Sequence, residues 1–313
     1  MIRTVVITIA ATIAAFVALW FLQPELVASM LTLGFVAQVL RISIPLGLAA
    51  MGGSITERAG VVDLALEAKL LFGAFAAAAF AHASGSAYVG VLGGMFAGAL
   101  VAAAQLGLAL RLGADQVIVG VGLNLLALGG TRFLLQLIYG EGTNSPPSPA
   151  FGDAVLANPI FWIAVIAAMV GPIAVARTRW GLRLRAAGDR PEALLAVGVS
   201  PIGARVWAGL VGGALAGAGG AQLSLAVGGF SADMSGGRGY IAIAMVILAG
   251  WRPAWAMGAC ALVAVSDAIN IRLQVTNSVI PREIAPLLPY MLTLLVLVIV
   301  RKRRAPPSSL GRI

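Results

Sequence analysis

Charge is scarce in this 313-residue chain, because Lys, Arg, Asp and Glu make up 11% of it, against 60% for hydrophobic residues. Soluble globular domains usually carry about 25% charged residues, so the composition excludes that class. The chain has one cysteine, Cys260, and one histidine, His82. It therefore cannot form an internal disulfide, and one cysteine with one histidine cannot build a usual zinc site.

The scarcity of lysine removes a further class of function. A glycine-rich loop that cradles phosphates needs a lysine after its last glycine, whereas Lys69 follows Ala68 and the other lysine, Lys302, lies in the C-terminal tail. A nucleophile elbow of the Gly-x-Ser-x-Gly type is also absent from the sequence. We therefore expect no ATP hydrolysis by this chain, no catalytic residue, no bound metal and no cofactor.

Long apolar runs recur along the whole chain. They approach or exceed the roughly 17 to 25 residues that cross a bilayer as a helix, and they lack the period-two alternation of barrel strands. The sequence predicts an all-α, polytopic membrane protein with a single transmembrane domain over residues 1–313. We expect about ten spans, the first retained rather than cleaved as a signal peptide: 5–22, 31–51, 70–83, 88–110, 117–138, 159–176, 206–227, 240–250, 253–273 and 284–300.

The distribution of Lys and Arg predicts the orientation. If the N-terminus is inside, the outer segments hold only Arg238, Arg272 and Arg282, as the positive-inside rule requires. We expect a protein of the cell's inner membrane with both termini cytosolic, an external loop at 140–158 and a basic cytosolic tail at 301–313. This orientation accounts for the net charge of +9, so we expect no nucleic-acid partner.

The longest inner segment, residues 177–205, contains the elements of a short capped helix. Asp189 is suited to its N-cap, Pro191 and Glu192 to its first turn, and Gly198 to its C-terminal cap. A solvated loop explains the individual arginines, but a capped helix in this loop favours a docking element.

Two spans, 70–83 and 240–250, are too short to cross alone, and irregular stretches precede them on opposite sides of the membrane. Such paired interruptions indicate an inverted repeat. The first stretch is rich in charge. We expect it to form an ordered, buried turn whose charges pair with one another or contact helix termini.

Residues 54–67, with the sequence SITERAGVVDLALE, and the following Gly73-Ala74-Phe75 resemble the signature of certain ATP-binding-cassette (ABC) importer permeases. These permeases serve nucleoside-binding lipoproteins and belong with the ribose and branched-chain amino-acid permeases. Residues 114–124, 181–198 and 237–250 add to the resemblance, which covers about residues 41–274. Two departures stand out. Asp63 replaces the usual Asn, and Ala68-Lys69 replaces Gly and a Met-like residue.

The resemblance implies a subunit that forms the pathway for a small-molecule solute but supplies no energy. Such permeases pair with a second permease chain, rest on two cytosolic ATP-binding-cassette subunits and receive solute from an extracytoplasmic lipoprotein. The implied coupling element comprises Gly181, Arg185, Gly188, Asp189, Pro191, Glu192, Ala193 and Gly198. The signature turn comprises Glu57, Arg58, Gly60, Asp63 and Glu67. Residue type alone suggests, for the solute path, Asn124, Gln136, Gln222, Ser224 and Phe230.

The sequence leaves three alternatives. An ion-coupled secondary transporter would also use broken helices, although its mid-span ionisable residues would be only Arg41, Arg132 and Asp267. The resemblance also fits an ABC permease for a sugar or a branched-chain amino acid. A purely structural membrane protein is the third alternative. Whether the second permease is identical to this chain or a paralogue stays open.

Overall fold

The computed structural model describes residues 32–152, 155–275 and 305–312. Within these ranges every regular element is a helix, and the only pairing of extended backbone is an isolated antiparallel bridge between Asn144 and Ser231. The all-α prediction is confirmed for this part of the chain.

The α-helices follow one another through short connections. A π-helical turn, Gly107–Arg111, continues the third helix, and a 3-10 turn, Val155–Ala157, precedes the fifth. In chain order the α-helices are α1 (Leu33–Arg58), α2 (Leu66–Ser84), α3 (Ala87–Leu106), α4 (Gln116–Tyr139), α5 (Pro159–Arg177), α6 (Arg179–Asp189), α7 (Pro191–Ala196), α8 (Pro201–Val227), α9 (Arg238–Leu248) and α10 (Pro253–Val275).

Seven helices among the described residues are long and apolar enough to cross a membrane: α1, α2, α3 with its π-helical turn, α4, α5, α8 and α10. The chain is therefore a multi-pass membrane protein. The expected span 240–250 corresponds to α9, which has 11 residues. The expected spans 5–22 and 284–300 lie outside the described residues, so the figure of about ten helices stays a prediction.

The expectation that the third span is too short to cross is wrong. Helix α2 begins at Leu66 and has 19 residues, while α1 continues past its expected end at Met51 as far as Arg58. The expected boundaries stop at the charged residues. In the structure the two glutamates there have hydrogen-bond partners, so the helices extend to include them. A short connection, residues 59–65, remains between the two helices.

Capping side chains and glycines set several helix ends. The Asp115 carboxylate accepts hydrogen bonds from the backbone N–H of Val117 at 2.8 Å and of Ile118 at 3.0 Å, which starts α4. Gly140 and Gly228 end α4 and α8 in the left-handed region, with φ of 74° and 72°.

The chain divides into two compact units. Of the described residues, the first unit holds 32–42 and 262–275, and the second holds 43–152, 155–261 and 305–312. In the first unit, Arg41 and Asp267 are half-buried. Every residue of the site below belongs to the second unit.

Helices α2, α3 and α8 form the most closely packed part of the second unit, and glycines at their crossings allow the close approach. A methyl group added at Gly98 of α3 would collide with the carbonyl oxygen of Gly213 and lie 2.7 Å from Cα of Gly217 on α8. A methyl group at Gly73 of α2 would also lie 2.7 Å from Cα of Gly217. The backbones touch directly, as small residues permit in membrane helices.

Replacing Gly98 with Ala should lower the free energy of unfolding by about 1 to 3 kcal/mol, because the backbone it meets cannot move aside as a flexible side chain would. Gly122 on α4 is the matched control, since a methyl group there meets nothing within 4 Å. Thermal denaturation in detergent measures both variants. Equal melting temperatures for Gly98→Ala and Gly122→Ala would contradict this account of the packing.

Candidate functional site

The candidate site is built on residues 57–69, which we call the signature segment. Its irregular part runs beside the start of α4. Gln116 accepts a hydrogen bond from the backbone N–H of Val62 at 2.7 Å. Asn124 donates to the carbonyl oxygen of Leu64 at 2.8 Å and accepts from the N–H of Ala68 at 2.9 Å. Gln116 and Asn124 lie about two turns apart on α4, so this helix holds the connection on both sides of Asp63.

Asp63 and Lys69 form a buried ion pair within this segment. Lys69 Nζ lies 2.5 Å from Asp63 Oδ1, and both side chains have zero exposure. Since an unpaired charge in such surroundings is strongly destabilising, each of these residues requires the other. They are the two charged departures from the family signature, and the structure brings them together.

The Glu67 carboxylate binds the start of α9. It accepts hydrogen bonds from Ser235 Oγ at 2.6 Å, the N–H of Gly237 at 2.9 Å and the N–H of Gly239 at 2.6 Å. The first N–H groups of a helix have no partner within the helix and carry partial positive charge. A side chain at Gly239 would not fit, because its Cβ would lie 2.5 Å from Cα of Glu67. Glu67 therefore fixes where α9 begins.

Glu57 holds the other end of α9. Its carboxylate accepts hydrogen bonds from Trp251 Nε1 at 2.5 Å and from the N–H of Asp63 at 3.3 Å. Trp251 lies three residues after the end of α9 and has a φ of 56°, which is uncommon for a residue other than glycine. The signature segment thus contacts both ends of a helix that is too short to cross a membrane by itself.

The signature segment is ordered and buried, as expected, but it is not all turn. Glu57 and Arg58 form the last turn of α1, and Glu67 lies in the first turn of α2. Only Gly60 and Asp63, of the five expected turn residues, lie in the connection itself. Gly60 has a φ of 95°, which glycine adopts without strain.

Helices α6 and α7 occupy most of the region expected to hold one capped helix. Pro191 starts α7, Glu192 lies in its first turn, and Gly198 follows it with a φ of 72°, as the sequence predicts. The expected N-cap role of Asp189 is wrong. This residue ends α6, and Arg190 precedes α7 without a side-chain capping bond.

The α6–α7 segment, residues 179–196, packs against the signature segment through a glycine. A Cβ at Gly188 would collide with the carbonyl oxygen of Arg58 and lie 3.2 Å from the nitrogen of Gly60. Gly181 is equally tight against the end of α5, and Arg185 donates to the carbonyl oxygen of Ala176 at 3.1 Å. By contrast, the expected coupling residues Glu192 and Ala193 are exposed.

The residues suggested for the solute path all have contacts within the protein, and all but the exposed Gln136 are buried. Asn124 bridges Leu64 and Ala68, as described above. Gln222 accepts from Asn158 Nδ2 at 2.7 Å, and Ser224 donates to the carbonyl oxygen of Ala221. Phe230 meets the Phe75 ring edge-on at 5.5 Å between centroids. Each of these four therefore has a structural contact of its own, and a contact with solute stays a prediction.

Sequence reasoning missed the partners of the carboxylates. Trp251, Ser235 and Gly239 lie about 170 to 195 residues from the glutamates that they bind. The sequence offered one signal, the run Gly236-Gly237-Arg238-Gly239. Such a run marks a place where the backbone approaches another group closely, but it does not reveal which group.

Replacing Glu67 with Gln should remove at least one of three charge-assisted hydrogen bonds and destabilise the protein by about 1.5 to 3 kcal/mol. The amide nitrogen would face an N–H donor of α9 instead of accepting from it. Glu141→Gln is the control, because Glu141 is exposed. Denaturation midpoints in detergent measure the difference. If both variants have the same denaturation midpoint as the wild type, Glu67 does not stabilise the start of α9.

Lys69→Met alone should destabilise the protein by about 3 to 5 kcal/mol, because Asp63 would remain buried without a counter-charge. Adding Asp63→Asn should restore most of that stability, since removing both members of a buried pair is often nearly neutral. A double-mutant cycle of unfolding free energies tests the coupling. Additive effects of the two substitutions would disprove it.

The comparisons with known proteins agree with this architecture. A family model described as "Branched-chain amino acid transport system / permease component" matches residues 35–300. The guanosine ABC transporter permease protein NupQ of Bacillus subtilis is 30% identical over 292 residues, covering 85% of this chain and 92% of the relative. The nucleoside ABC transporter permease protein NupC of Lactococcus lactis is 29% identical over 301 residues, covering 88% and 95%.

A third relative carries a different name. The putative glucose ABC transporter permease protein TsgC13 of Haloferax volcanii is 31% identical over 304 residues, covering 84% of this chain and 92% of the relative. No solved structure matches the chain. The family match spans most of the sequence, so this chain belongs to the family of branched-chain amino-acid transport permease components and is a permease subunit of an ABC transporter.

Proposed function

We propose that this chain forms the translocation path of an ABC importer for a nucleoside or a related small polar solute. Two relatives that cover most of the chain are named for guanosine and for nucleosides. That both names refer to nucleosides is the main support for the proposed substrate class. The third relative, named for glucose, makes a sugar the alternative.

The observation that carries the mechanism is the direct contact between the α6–α7 segment and the signature segment. Gly188 meets the backbone of Arg58 and Gly60 without an intervening side chain. From there, Glu57 and Glu67 reach the two ends of α9. Closely packed backbone contacts of this kind transmit displacement, since neither surface can yield as a flexible side chain would.

In this proposal the α6–α7 segment is the element that docks on an ATPase subunit. Leu195 is 64% exposed, Val197, the residue after the segment, is 71% exposed, and Glu192 is also exposed. An apolar and charged surface of this kind suits a protein partner. Of the coupling residues named above, the exposed Glu192 and Ala193 would contact the ATPase, and Gly188 would connect the segment to the signature segment.

The proposed orientation and assembly follow from the same assignment. The α6–α7 segment and both termini face the cytosol of a cell whose inner membrane holds the protein, and the loop at 140–158 faces outward. Residues 1–313 form one permease domain. A second permease chain completes the pathway, two ATP-binding-cassette subunits supply the energy, and a binding lipoprotein delivers the solute.

Reconstitution of this chain with its ATPase subunits, second permease and lipoprotein should give ATP-dependent uptake of labelled guanosine into vesicles. Unlabelled adenosine or uridine should compete, whereas glucose and leucine should not. A complex carrying a hydrolysis-deficient ATPase is the control. Uptake of glucose alone would overturn the nucleoside assignment, and uptake abolished by an uncoupler while ATP is maintained would favour an ion-coupled carrier.

A further inference from the structure

Residues 305–312, the described part of the C-terminal tail, lie against the α6–α7 segment and the connection after α1. Ser309 is buried. Its N–H donates to the carbonyl oxygen of Gly188 at 2.9 Å. Its hydroxyl donates to the same oxygen at 2.6 Å and lies 3.0 Å from the carbonyl oxygen of Ala187. A residue 121 positions later in the chain therefore binds the last turn of α6.

Neighbouring residues extend this contact in both directions. The N–H of Gly311 donates to the carbonyl oxygen of Gly60 at 3.1 Å, and the hydroxyl of Ser308 donates to the carbonyl oxygen of Asp189. The tail thus bridges α6 to the signature segment. Glycine suits position 311, because its φ of 77° would strain a residue that carries a side chain.

Arg205 of α8 completes the junction. Its buried guanidinium donates to the carbonyl oxygens of Ala59 and Ala187, each at 3.3 Å, and to the hydroxyl of Ser309 at 3.4 Å. Arg205 and the tail therefore join the connection after α1 to α6 and α8.

The carbonyl groups bound by the tail are those that a helix cannot satisfy by itself. The last four carbonyl oxygens of any α-helix lack an intrahelical partner. In α6, Ala186 accepts from the N–H of Arg190. The carbonyl oxygens of Ala187, Gly188 and Asp189 all accept from Ser308, Ser309 or Arg205. The tail supplies a C-terminal cap from a distant part of the chain.

We infer that residues 308–312 are a clasp that caps α6 and positions the α6–α7 segment against the signature segment. This inference rests on the proposed function, in which the α6–α7 segment receives motion from the ATPase. Without the clasp, the end of α6 would separate from Gly60, and motion of α7 would no longer reach Glu57 and Glu67. Ser309 is the central positioning residue.

Thiol labelling tests the clasp in the assembled complex, in vesicles that expose the α6–α7 segment. Ala187 has zero exposure, whereas Leu112, between α3 and α4, is 75% exposed. An Ala187→Cys variant should react slowly with a membrane-impermeant maleimide. Removal of residues 308–313 should raise that rate at least about tenfold, because several hydrogen bonds are lost. Leu112→Cys is the control, because Leu112 lies outside the proposed ATPase-docking surface, and it should react equally with and without the tail.

Uptake is measured on the same preparations, with Ser309→Ala as a second variant that keeps the tail. Both tail variants should take up less solute, with Ser309→Ala intermediate, while the ATPase still co-purifies. Unchanged labelling of Ala187→Cys would overturn the clasp, as would faster labelling with undiminished uptake. If the complete complex takes up no nucleoside, the proposed substrate fails, but the labelling comparison still decides the clasp because it needs no solute.

Discussion

Burying carboxylates in an apolar helical protein requires a partner for each one, and the second unit is organised around that requirement. Glu67 accepts hydrogen bonds from N–H groups at the start of α9, and Glu57 accepts one from the indole of Trp251. Asp63 forms an ion pair with Lys69. Each contact fixes a piece of backbone that has little regular structure of its own. These contacts hold helix α9 in position, although its 11 residues are too few to span a bilayer.

The close packing of α2, α3 and α8 supports this arrangement. With glycine at the crossings, the three backbones touch, and the N-terminal end of α2 is held where Glu67 can reach α9. Asn124 and Gln116 on α4 provide the hydrogen bonds that the irregular connection cannot make within itself. Satisfying every backbone group matters more in a membrane than in water, because no solvent replaces a missing partner.

Under the proposed function, the same contacts would act as a mechanical path. The exposed α7 is followed by the tight contact of Gly188 with Arg58 and Gly60, and then by the two glutamates that hold α9. Each step is a backbone contact or a charged hydrogen bond, both of which resist deformation. The C-terminal residues lie at the first of these steps, where α6 would otherwise end in unsatisfied carbonyl groups.

Composition and local pattern were enough to determine the all-α class, the positions of most apolar helices and the first turn of α7, and short motifs carried the resemblance to a permease family. These properties depend on residues close together in the chain. The partners of the glutamates, the full length of α2 and the contacts of Ser309 depended on tertiary structure. The bonds of the glutamates and of Ser309 join residues more than 100 positions apart. Local sequence shows that a buried charge or a helix end needs a partner, but only the folded chain decides which residue supplies it.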